Sequence, residues 1–462
     1  MSDQHLPSEN SFEEILRRYE QRNVSSSDFG YFDVEELELI ADYYLEKGRP
    51  KESSNAVELG LKLHPASTAL HIHRAKVYLA MGENEKALKI VETYREGHDS
   101  ETDLLHGGIL VKLGRYDEAD EIFKRLLKDN FDYEYTCLDI AYIYLTEQAY
   151  GRSMHYLQLG LERNSRNNDL LFELAFCYEQ IGETSKSIDI YNRIIDSDPY
   201  SAEAWFNLGQ VYFALDNYQK AVEAYDFVTI ISDKDYTAWV QKAHALFQTG
   251  KYEAAIESYQ VYLQLGNNKN VALVFIGECY EKLGDYDNAI AYYKMSLEED
   301  DKSMDALIGL TIGYLEKNAY QQAIETAEKA ISINNTIPEI WVYLAEAQIN
   351  LNQVDDAIKS YYRAIEIEPC QPETLVALGI LLFDLQEYEK AKEISMKAYE
   401  IDKDIENIHL LLAMTYCKLN DYKMAIPFLE QAMRLSDKAL PSLLEICPES
   451  SHIINNYIYL MQ

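Results

Sequence analysis

The sequence predicts an all-α protein built as one long array of similar helix pairs. Tyrosines recur every 34 residues, as at Tyr218, Tyr252 and Tyr286, within near copies of one segment: "LDNYQKAVEAY", "TGKYEAAIESY" and "LGDYDNAIAYY". The chain of 462 residues has only 10 Pro and 19 Gly, a balance typical of folded, helix-rich proteins. An internal period of this length indicates a repeat architecture rather than several unrelated domains.

The first predicted element is an N-terminal cap helix, followed by a polar linker, in residues 1–33. In "SFEEILRRYEQR", Ser11 and Glu14 have the spacing of a capping box. One apolar stripe follows, formed by Phe12, Ile15, Leu16 and Tyr19. After the linker "NVSSSDFG", Asp33 and Glu36 have capping-box spacing again, so we expect the array to begin at residue 34.

The array is predicted over residues 34–439 as twelve helix-turn-helix repeats. Their first residues are Val34, Thr68, Ser100, Glu134, Asn168, Ala202, Tyr236, Asn270, Met304, Pro338, Pro372 and Glu406. Only the second repeat is short, with 32 residues between Thr68 and Ser100. The repeats therefore occupy almost the whole chain.

Two positions recur in every repeat for structural reasons. A small residue is expected where the second helix crosses the first, and the sequence has one at Ser53, Ala87, Ala119, Ser153, Ser187, Ala221, Ala255, Ala289, Ala323, Ala357, Ala391 and Ala425. The turn between the helices favours a residue that tolerates positive φ, which ten repeats supply as Gly48, Gly82, Gly114, Gly182, Asp216, Gly250, Gly284, Asn318, Asn352 and Asn420. Gln148 and Gln386 are the two exceptions.

The last predicted element is a C-terminal cap helix in residues 440–462, after a region interrupted by Pro441 and Pro448. Its apolar stripe consists of Ile453, Ile454, Tyr457, Ile458 and Met461. Tyr459 and Leu460 lie off that stripe, so two interpretations stay open. The helix either packs on the twelfth repeat as a cap or associates with a second copy into a homodimer.

The repeats match a known repeat pattern in residue type as well as in spacing. In the sixth repeat, residues match the pattern W-x2-L-G-x2-Y…A-x3-F at Trp205, Leu208, Gly209, Tyr212, Ala221 and Tyr225. The chain therefore resembles the tetratricopeptide repeat family. The resemblance implies a right-handed superhelical solenoid whose concave wall is formed mainly by positions two, five, nine and twelve of each first helix. Trp205, Trp239 and Trp341 occupy the fourth position, where we expect packing residues.

Composition disfavours several classes of partner. Asp and Glu number 78 against 42 Lys and Arg, giving a formal net charge of -36, which would repel phosphate backbones and anionic lipid. The six cysteines form no CxxC pair, and the segment "MSDQHLPSEN" has neither a basic nor an apolar signal region. We expect a cytoplasmic protein that binds neither nucleic acid nor membrane.

Signatures of chemistry are missing from the sequence. It contains no phosphate-binding glycine loop, no nucleophile elbow and no HExxH motif. His71 and His73 are two residues apart on a predicted helix, which is the wrong spacing for a shared metal. Because the repeats leave no room for a catalytic domain, the sequence predicts a protein without catalytic residues, cofactor or metal.

The concave positions implied by the family resemblance supply the candidates for partner binding. These are Leu138, Tyr142, Phe172, Phe176, Phe206, Gln210, Phe213, His244, Phe247 and Glu278. Acids on the first helices of repeats along the array include Glu35, Asp42, Glu101, Asp169, Glu179, Glu203, Glu281, Asp305, Glu339, Glu346 and Glu373. We expect an acidic, partly aromatic groove that binds a basic and apolar segment of a partner protein. The alternative that its aromatic residues only pack stays open.

Two departures from the family's patterns qualify this expectation. Members that grip acidic chaperone tails have Lys and Asn at positions five and nine, whereas this chain has Phe172 and Phe176, so that function is not expected. The seventh position, usually Leu or Ile, is a cation or imidazole at Arg74, His106 and Lys242. Because Arg74 and His106 flank the short repeat, they form the hypothesis of a second binding notch.

The sequence thus predicts a non-catalytic scaffold or adaptor for protein partners. Two alternatives remain open: a self-assembling structural scaffold that uses its C-terminal helix, and a peptide-gated regulator that acts on a separate effector.

Overall fold

The computed structural model describes residues 9–21, 31–94, 99–128, 132–266 and 268–454. Among these residues the regular elements are helices, and no strand occurs. The chain divides into two compact units, Met1–Val211 and Tyr212–Gln462.

The first unit contains the N-terminal helix and then successive pairs of helices. They are α1 (Glu9–Gln21), α2 (Val34–Glu46), α3 (Pro50–Leu63), α4 (Thr68–Ala80), α5 (Asn84–Tyr94), α6 (Ser100–Lys112), α7 (Tyr116–Lys128), α8 (Tyr133–Thr146), α9 (Tyr150–Arg163), α10 (Asn168–Gln180), α11 (Thr184–Ser197) and α12 (Ala202–Ala214), whose last residues belong to the second unit. Most helices pack on their partner and on the next pair, as α8 does on α9 and α10. This is the nearest-neighbour packing of a repeat array.

The second unit continues the alternation of helices. They are α13 (Tyr218–Ile231), α14 (Tyr236–Gln248), α15 (Tyr252–Leu265), α16 (Lys269–Lys282), α17 (Tyr286–Glu299), α18 (Met304–Glu316), α19 (Tyr320–Ile333), α20 (Pro338–Asn350), α21 (Val354–Ile367), α22 (Pro372–Asp384), α23 (Tyr388–Ile401), α24 (Ile408–Lys418), α25 (Tyr422–Leu435) and α26 (Ala439–Ile446). First helices of several neighbouring pairs touch, namely α16 with α18, α18 with α20 and α22 with α24, so these helices share a face.

The predicted repeated helix pairs are confirmed, and most first helices begin where expected. Three boundaries differ: the helices begin at Tyr133, Lys269 and Ile408 instead of Glu134, Asn270 and Glu406. The two-residue difference in the twelfth pair has a backbone cause, because Asn407 has a φ of 66°, which is incompatible with a helix that starts at Glu406. The domain boundaries after residues 33 and 439 stay predictions.

The N-terminal helix corrects one detail of the sequence analysis. It begins at Glu9, so Ser11 lies inside the helix and the predicted Ser11/Glu14 capping box is wrong. The second predicted capping box is confirmed, since the amide of Glu36 donates to Asp33 Oδ1 at 2.8 Å and the amide of Asp33 donates to Glu36 Oε2 at 3.2 Å. Tyr19 of α1 is buried in the core of the first helix pair.

The crossing points of the helix pairs are close-packed. All twelve predicted small residues are buried, with at most 1% exposed in each case. The turn prediction is also confirmed, since its ten Gly, Asn and Asp residues have positive φ. Gln148 and Gln386 have positive φ as well, at 55° and 63°. The turn geometry is therefore the same even where the sequence departs from the preferred residues.

Each tryptophan forms a hydrogen bond to the backbone of the loop that precedes its helix. The indole N–H donates to the backbone carbonyl six residues earlier, in the pairs Trp205 with Pro199 (3.0 Å), Trp239 with Asp233 (2.9 Å) and Trp341 with Asn335 (3.1 Å). All three rings are half-buried. This geometry agrees with the structural role predicted for them.

The described C-terminal region ends in a short helical turn after α26. Ile454 is buried against Leu443 and Cys447, while Ile453 is exposed. The remaining residues of the predicted stripe, Tyr457, Ile458 and Met461, lie outside the described residues, as do Tyr459 and Leu460. The choice between cap and self-association surface stays a prediction.

Candidate functional site

In the first unit, α8 and α10 bring four of the predicted site residues onto neighbouring helices. Tyr142 and Phe176 are the exposed ones, with 44% and 42% of their surface accessible. The Tyr142 hydroxyl donates to Glu173 Oε1 at 2.8 Å, which ties the two helices together. Since Phe176 follows Glu173 by one helical turn, an acid and two aromatic rings lie on the same face.

The other predicted residues of this unit are less available. Phe172 is half-buried against the ring of Tyr191, with ring centres 6.2 Å apart, and Leu138 is half-buried too. On α12, Phe206 is half-buried and Gln210 is exposed. Phe172 therefore has the surroundings of a packing residue, and the binding role of the others stays a prediction.

In the second unit, Phe213 and Phe247 share one packing geometry. Each ring packs edge-on against the tyrosine that begins the second helix of the same repeat. The ring centres are 5.1 Å apart for Phe213 and Tyr218 and 5.4 Å apart for Phe247 and Tyr252. Both phenylalanines are half-buried. The recurrence of the contact favours a structural role for position twelve.

His244 belongs to an aromatic cluster that sequence reasoning did not find. Its ring lies 4.7 Å from that of Phe275 and 5.6 Å from that of Tyr259, and Tyr259 stacks on Phe275 at 5.5 Å. Among the described residues, His244 Nε2 and the Tyr259 hydroxyl have no hydrogen-bond partner. Burial lowers the pKa of His244 and, with the charges of Cys279 and Glu278, raises the pKa of Tyr259.

Glu278 lines an acidic cleft between α16 and α18. The cleft has a volume of about 260 Å³ and is lined by Glu278, Glu281, Lys282, Tyr293, Asp305, Ile308, Gly309 and Ile312. Tyr293 lies at its base, where its hydroxyl donates to Glu281 Oε2 at 3.0 Å. Burial, and then the negative charges of Glu281 and Asp305, raise the pKa of Glu278 to about 7.

The bond at the base of the cleft has a sequence signal. Tyr191 donates in the same way to Glu179 Oε1 at 2.7 Å in the first unit. In both pairs a glutamate at position twelve precedes the tyrosine by twelve residues. In the seventh repeat the glutamate is replaced by Phe247, which is why Tyr259 lacks this partner. A search for this spacing could have located the cleft.

The two residues of the predicted second notch, Arg74 and His106, lie on different helices, α4 and α6. Arg74 Nη2 lies 3.2 Å from His71 Nδ1, and His71 stacks on Tyr94 at 3.7 Å. His106 is buried on a different helix, α6. The third pattern-breaking residue, Lys242, pairs with Asp226 at 2.7 Å and covers the Trp239 ring. The notch stays a hypothesis.

Two further features concern the residues that the structure describes. In that part of the chain, no three acidic, His or Cys side chains are grouped as metal ligands. None of the helices there is long and apolar enough to cross a membrane.

The repeated pairs of helices define the chain as an α-helical repeat protein. Models of the tetratricopeptide repeat match residues 104–129, 169–201, 202–228, 240–303, 314–369, 372–405 and 408–440. The chain belongs to the tetratricopeptide repeat family. Its functional class is accordingly a scaffold for protein–protein interaction.

The chain is similar to several solved structures. A chain of the APC/C hetero-tetramer Cut9-Hcn1 is 16% identical over 82% of this chain and 89% of that chain, with a TM-score of 0.39. MamA from Desulfovibrio magneticus RS-1 is 18% identical over 38% and 98%, with a TM-score of 0.36. The C-terminal part of a tetratricopeptide repeat protein from Cytophaga hutchinsonii is 18% identical over 51% and 98%, with a TM-score of 0.44. No curated protein matches the chain.

Proposed function

We propose that the chain is a non-catalytic cytoplasmic adaptor that binds a basic and apolar segment of a partner protein on its first helices. The observation that carries this proposal is the exposed pair Tyr142 and Phe176, which share one face with Glu173. Large aromatic side chains are the usual anchors of protein interfaces. Because Tyr142 and Phe176 are large, exposed and on neighbouring helices, an apolar partner residue can contact both rings at once. Isolated surface residues would offer it less contact area.

Charge supports the choice of a basic partner. The net charge of -36 attracts cations toward the whole molecule, and the acids predicted on the inner positions direct them to the first helices. Complementary charge mainly accelerates encounter and selects the partner, while apolar anchors supply affinity. A segment with Lys or Arg next to aliphatic or aromatic residues therefore fits both features.

The test is selection of short random peptides displayed on phage against the full chain. Selected peptides are expected to be enriched in Lys or Arg together with apolar residues, and their affinity should fall as salt rises. Selection of acidic peptides, or of none, would contradict the proposal.

Single substitutions then locate the binding. Phe176→Ala and Tyr142→Ala are each expected to weaken the selected peptides by about tenfold or more, as anchor residues do. Tyr200→Ala is the matched control, because Tyr200 is an exposed aromatic residue in a loop between repeats, with 79% of its surface accessible. If all three variants bind the peptides with the affinity of the wild type, α8 and α10 do not form the binding surface.

A further inference from the structure

A cavity of about 530 Å³ lies between the start of α24, the end of α25 and the start of α26, within the second unit. Its deeper wall is apolar and consists of Ile405, Leu410, Ala432 and Ala439, which are buried or half-buried. The volume falls within the roughly 300–1,000 Å³ of ligand sites in proteins, whereas one water needs only roughly 10–15 Å³. The cavity therefore has room for an organic group of several ring atoms.

One polar side chain on this wall has an unused hydrogen-bonding atom. His409 lines the cavity with 7% of its surface accessible, and its ring packs against those of Tyr399 and Phe428, with ring centres 5.6 Å and 6.2 Å away. Among the described residues, His409 Nδ1 has no hydrogen-bond partner. Buried polar atoms in native proteins are nearly always bonded to protein, water or a ligand. Since His409 lines the cavity, a ligand there is within reach of the imidazole.

Other rings at the same repeat position are bonded within the chain. His409 is the fourth residue counted from Glu406, and the three tryptophans occupy the fourth position of their repeats. Each indole donates to the carbonyl six residues earlier. His71, fourth in the second repeat, places Nε2 3.4 Å from the oxygen of Pro65, which is also six residues earlier. Within the part of the chain that the structure describes, His409 is the ring that lacks this bond.

The backbone before α24 explains the missing bond. The helix starts at Ile408, two residues later than the repeat predicts, and Asn407 has a φ of 66°. In the other helix pairs of the described chain, positive φ occurs at the turn inside the pair and not before the first helix. The loop before α24 therefore follows a different path from the loops that accept the indole bonds. It leaves an unbonded imidazole beside an open cavity.

The opening of the cavity is marked by an exposed apolar residue. Leu435, the last residue of α25, has 73% of its surface accessible, against 44% for Ile401 at the same position of the preceding repeat. Exposed charges of both signs lie at the opening, on Asp404, Glu406 and Lys438. They select neither an anion nor a cation, whereas the exposed leucine and the apolar wall favour a neutral, largely apolar group.

We infer that this cavity binds one tryptophan side chain of a partner protein, with the indole N–H donating to His409 and the ring faces on Ile405 and Leu410. An indole combines apolar faces with a single donor, and a neutral imidazole has one acceptor nitrogen. It is also the group that this chain places at the fourth position of three repeats. A protein is the source, because the chain belongs to a class of scaffolds for protein–protein interaction. The site goes beyond the proposed function and does not involve α8 or α10.

The test uses the full chain with labelled isoleucine δ1-methyl groups, observed by NMR, and the Ile405 signal is assigned with Ile405→Val. N-acetyl-tryptophan amide is the probe, and N-acetyl-1-methyltryptophan amide, which lacks only the indole N–H, is its matched control. The probe should shift the Ile405 signal in a saturable way and bind about threefold to tenfold more tightly than the control, the effect of one hydrogen bond.

A substitution then assigns that hydrogen bond. His409→Phe keeps a ring on the wall and removes the acceptor, so the two compounds should bind this variant equally. His155→Phe is the matched control, because His155 is an exposed histidine on α9, and the difference between the compounds should persist there. A difference that persists in a folded His409→Phe variant would overturn the inference, since the methyl group would then clash elsewhere in the cavity.

Measurements on the wild type decide the inference even if His409→Phe fails to fold. No saturable shift of the Ile405 signal, or equal affinity for both compounds, would overturn it. N-acetyl-alanyl-tryptophanyl-alanine amide should bind at least as tightly as free indole, and tighter binding of indole would reassign the cavity to a free small molecule. If no basic peptide is selected by phage display but the tryptophan compound binds, the function proposed for α8 and α10 fails alone.

Discussion

Gln148 and Gln386 occupy a backbone conformation that suits few residues with a side chain. Their φ angles of 55° and 63° lie in the left-handed region, where contact between Cβ and the carbonyl costs about 1–2 kcal/mol. At the same point of other turns the chain uses Gly, Asn or Asp, which enter this region more easily. The two glutamines therefore store a local strain that the packed helices on either side maintain.

Relief of this strain is a direct prediction. Gln148→Gly should raise the free energy of unfolding by up to about 1 kcal/mol, because glycine removes the Cβ contact at a modest entropic cost. The reverse change in the third repeat, Gly114→Gln, should lower it by a similar amount, since Gly114 has a φ of 73° and open space around it. Chemical denaturation of both variants measures the free energy of unfolding. If both variants change it in the same direction, the explanation by strain is contradicted.

At the scale of single residues, the sequence predicts the helix on which a side chain lies better than the neighbours against which it packs. The spacing placed Phe172, Phe213 and Phe247 correctly on the first helices. It could not show that all three rings would be half-buried against tyrosines, because that depends on the rotamers of the neighbouring helix. Phe275 and Tyr259 were missed for the same reason: each is unremarkable in sequence, and only packing brings them to His244.

At the scale of the helix, two glycines make room for one tyrosine. Gly277 of α16 and Gly309 of α18 both face the Tyr293 ring, and a Cβ at either position would overlap it. These glycines lie inside helices, where glycine is intrinsically unfavourable by up to about 1 kcal/mol. Close approach of three helices around a ring therefore outweighs helix propensity at these positions.

Gly309→Ala tests this balance. The added methyl should displace the Tyr293 ring and lower the free energy of unfolding by about 1–2 kcal/mol, after the gain in helix propensity is subtracted. Gly151→Ala is the matched control, because Gly151 also lies in a helix but nothing is within 4 Å of its Cβ direction. That variant should be neutral or slightly stabilised. A stabilised Gly309→Ala variant would mean that the ring moves without cost.

Helix positions were largely predictable because the period fixes all repeats together. A turn with positive φ and a small crossing residue recur in every repeat, and a tyrosine begins the second helix in eight of the twelve. An ambiguous repeat therefore takes its register from its neighbours. The ends lack this support. Near α1, Ser11 with Glu14 matched a capping box, but the helix starts at Glu9, since capping patterns are short and several polar residues precede the apolar stripe.

At the scale of the whole molecule, charge imbalance governs the response to salt. With 78 acidic and 42 basic residues, repulsion between like charges outweighs the exposed ion pairs, most of which contribute little. Salt shortens the Debye length from about 30 Å at 0.01 M to about 8 Å at 0.15 M, which screens that repulsion.

We therefore expect the Tm to rise by a few degrees between about 0.01 M and 0.15 M NaCl, while binding of basic peptides weakens over the same range. Choline chloride is the control, because screening should not depend on the cation. A Tm that falls with salt would show that ion pairs such as Arg152 with Asp117 and Lys242 with Asp226 dominate instead.

The sequence predicts acids at the inner positions of the first helices, but the cleft between α16 and α18 was not predicted. Net charge and the acids at inner positions are countable without a structure. The cleft depends on which faces of α16 and α18 meet and on the burial that raises the pKa of Glu278 to about 7. Such burial is a property of packed neighbours. The spacing of twelve residues between Glu281 and Tyr293 marks the position of the cleft in the sequence but does not show how deeply Glu278 is buried.

The tryptophan-to-carbonyl bonds also decide what an optical experiment on this protein would see. All three indoles lie in repeats six, seven and ten, each in the same kind of loop. Intrinsic fluorescence therefore reports the loss of structure in those repeats, and a terminal repeat could fray without changing the signal. Because repeat arrays can open locally from their ends, emission from this chain is a probe of its middle, and far-ultraviolet circular dichroism would register melting earlier.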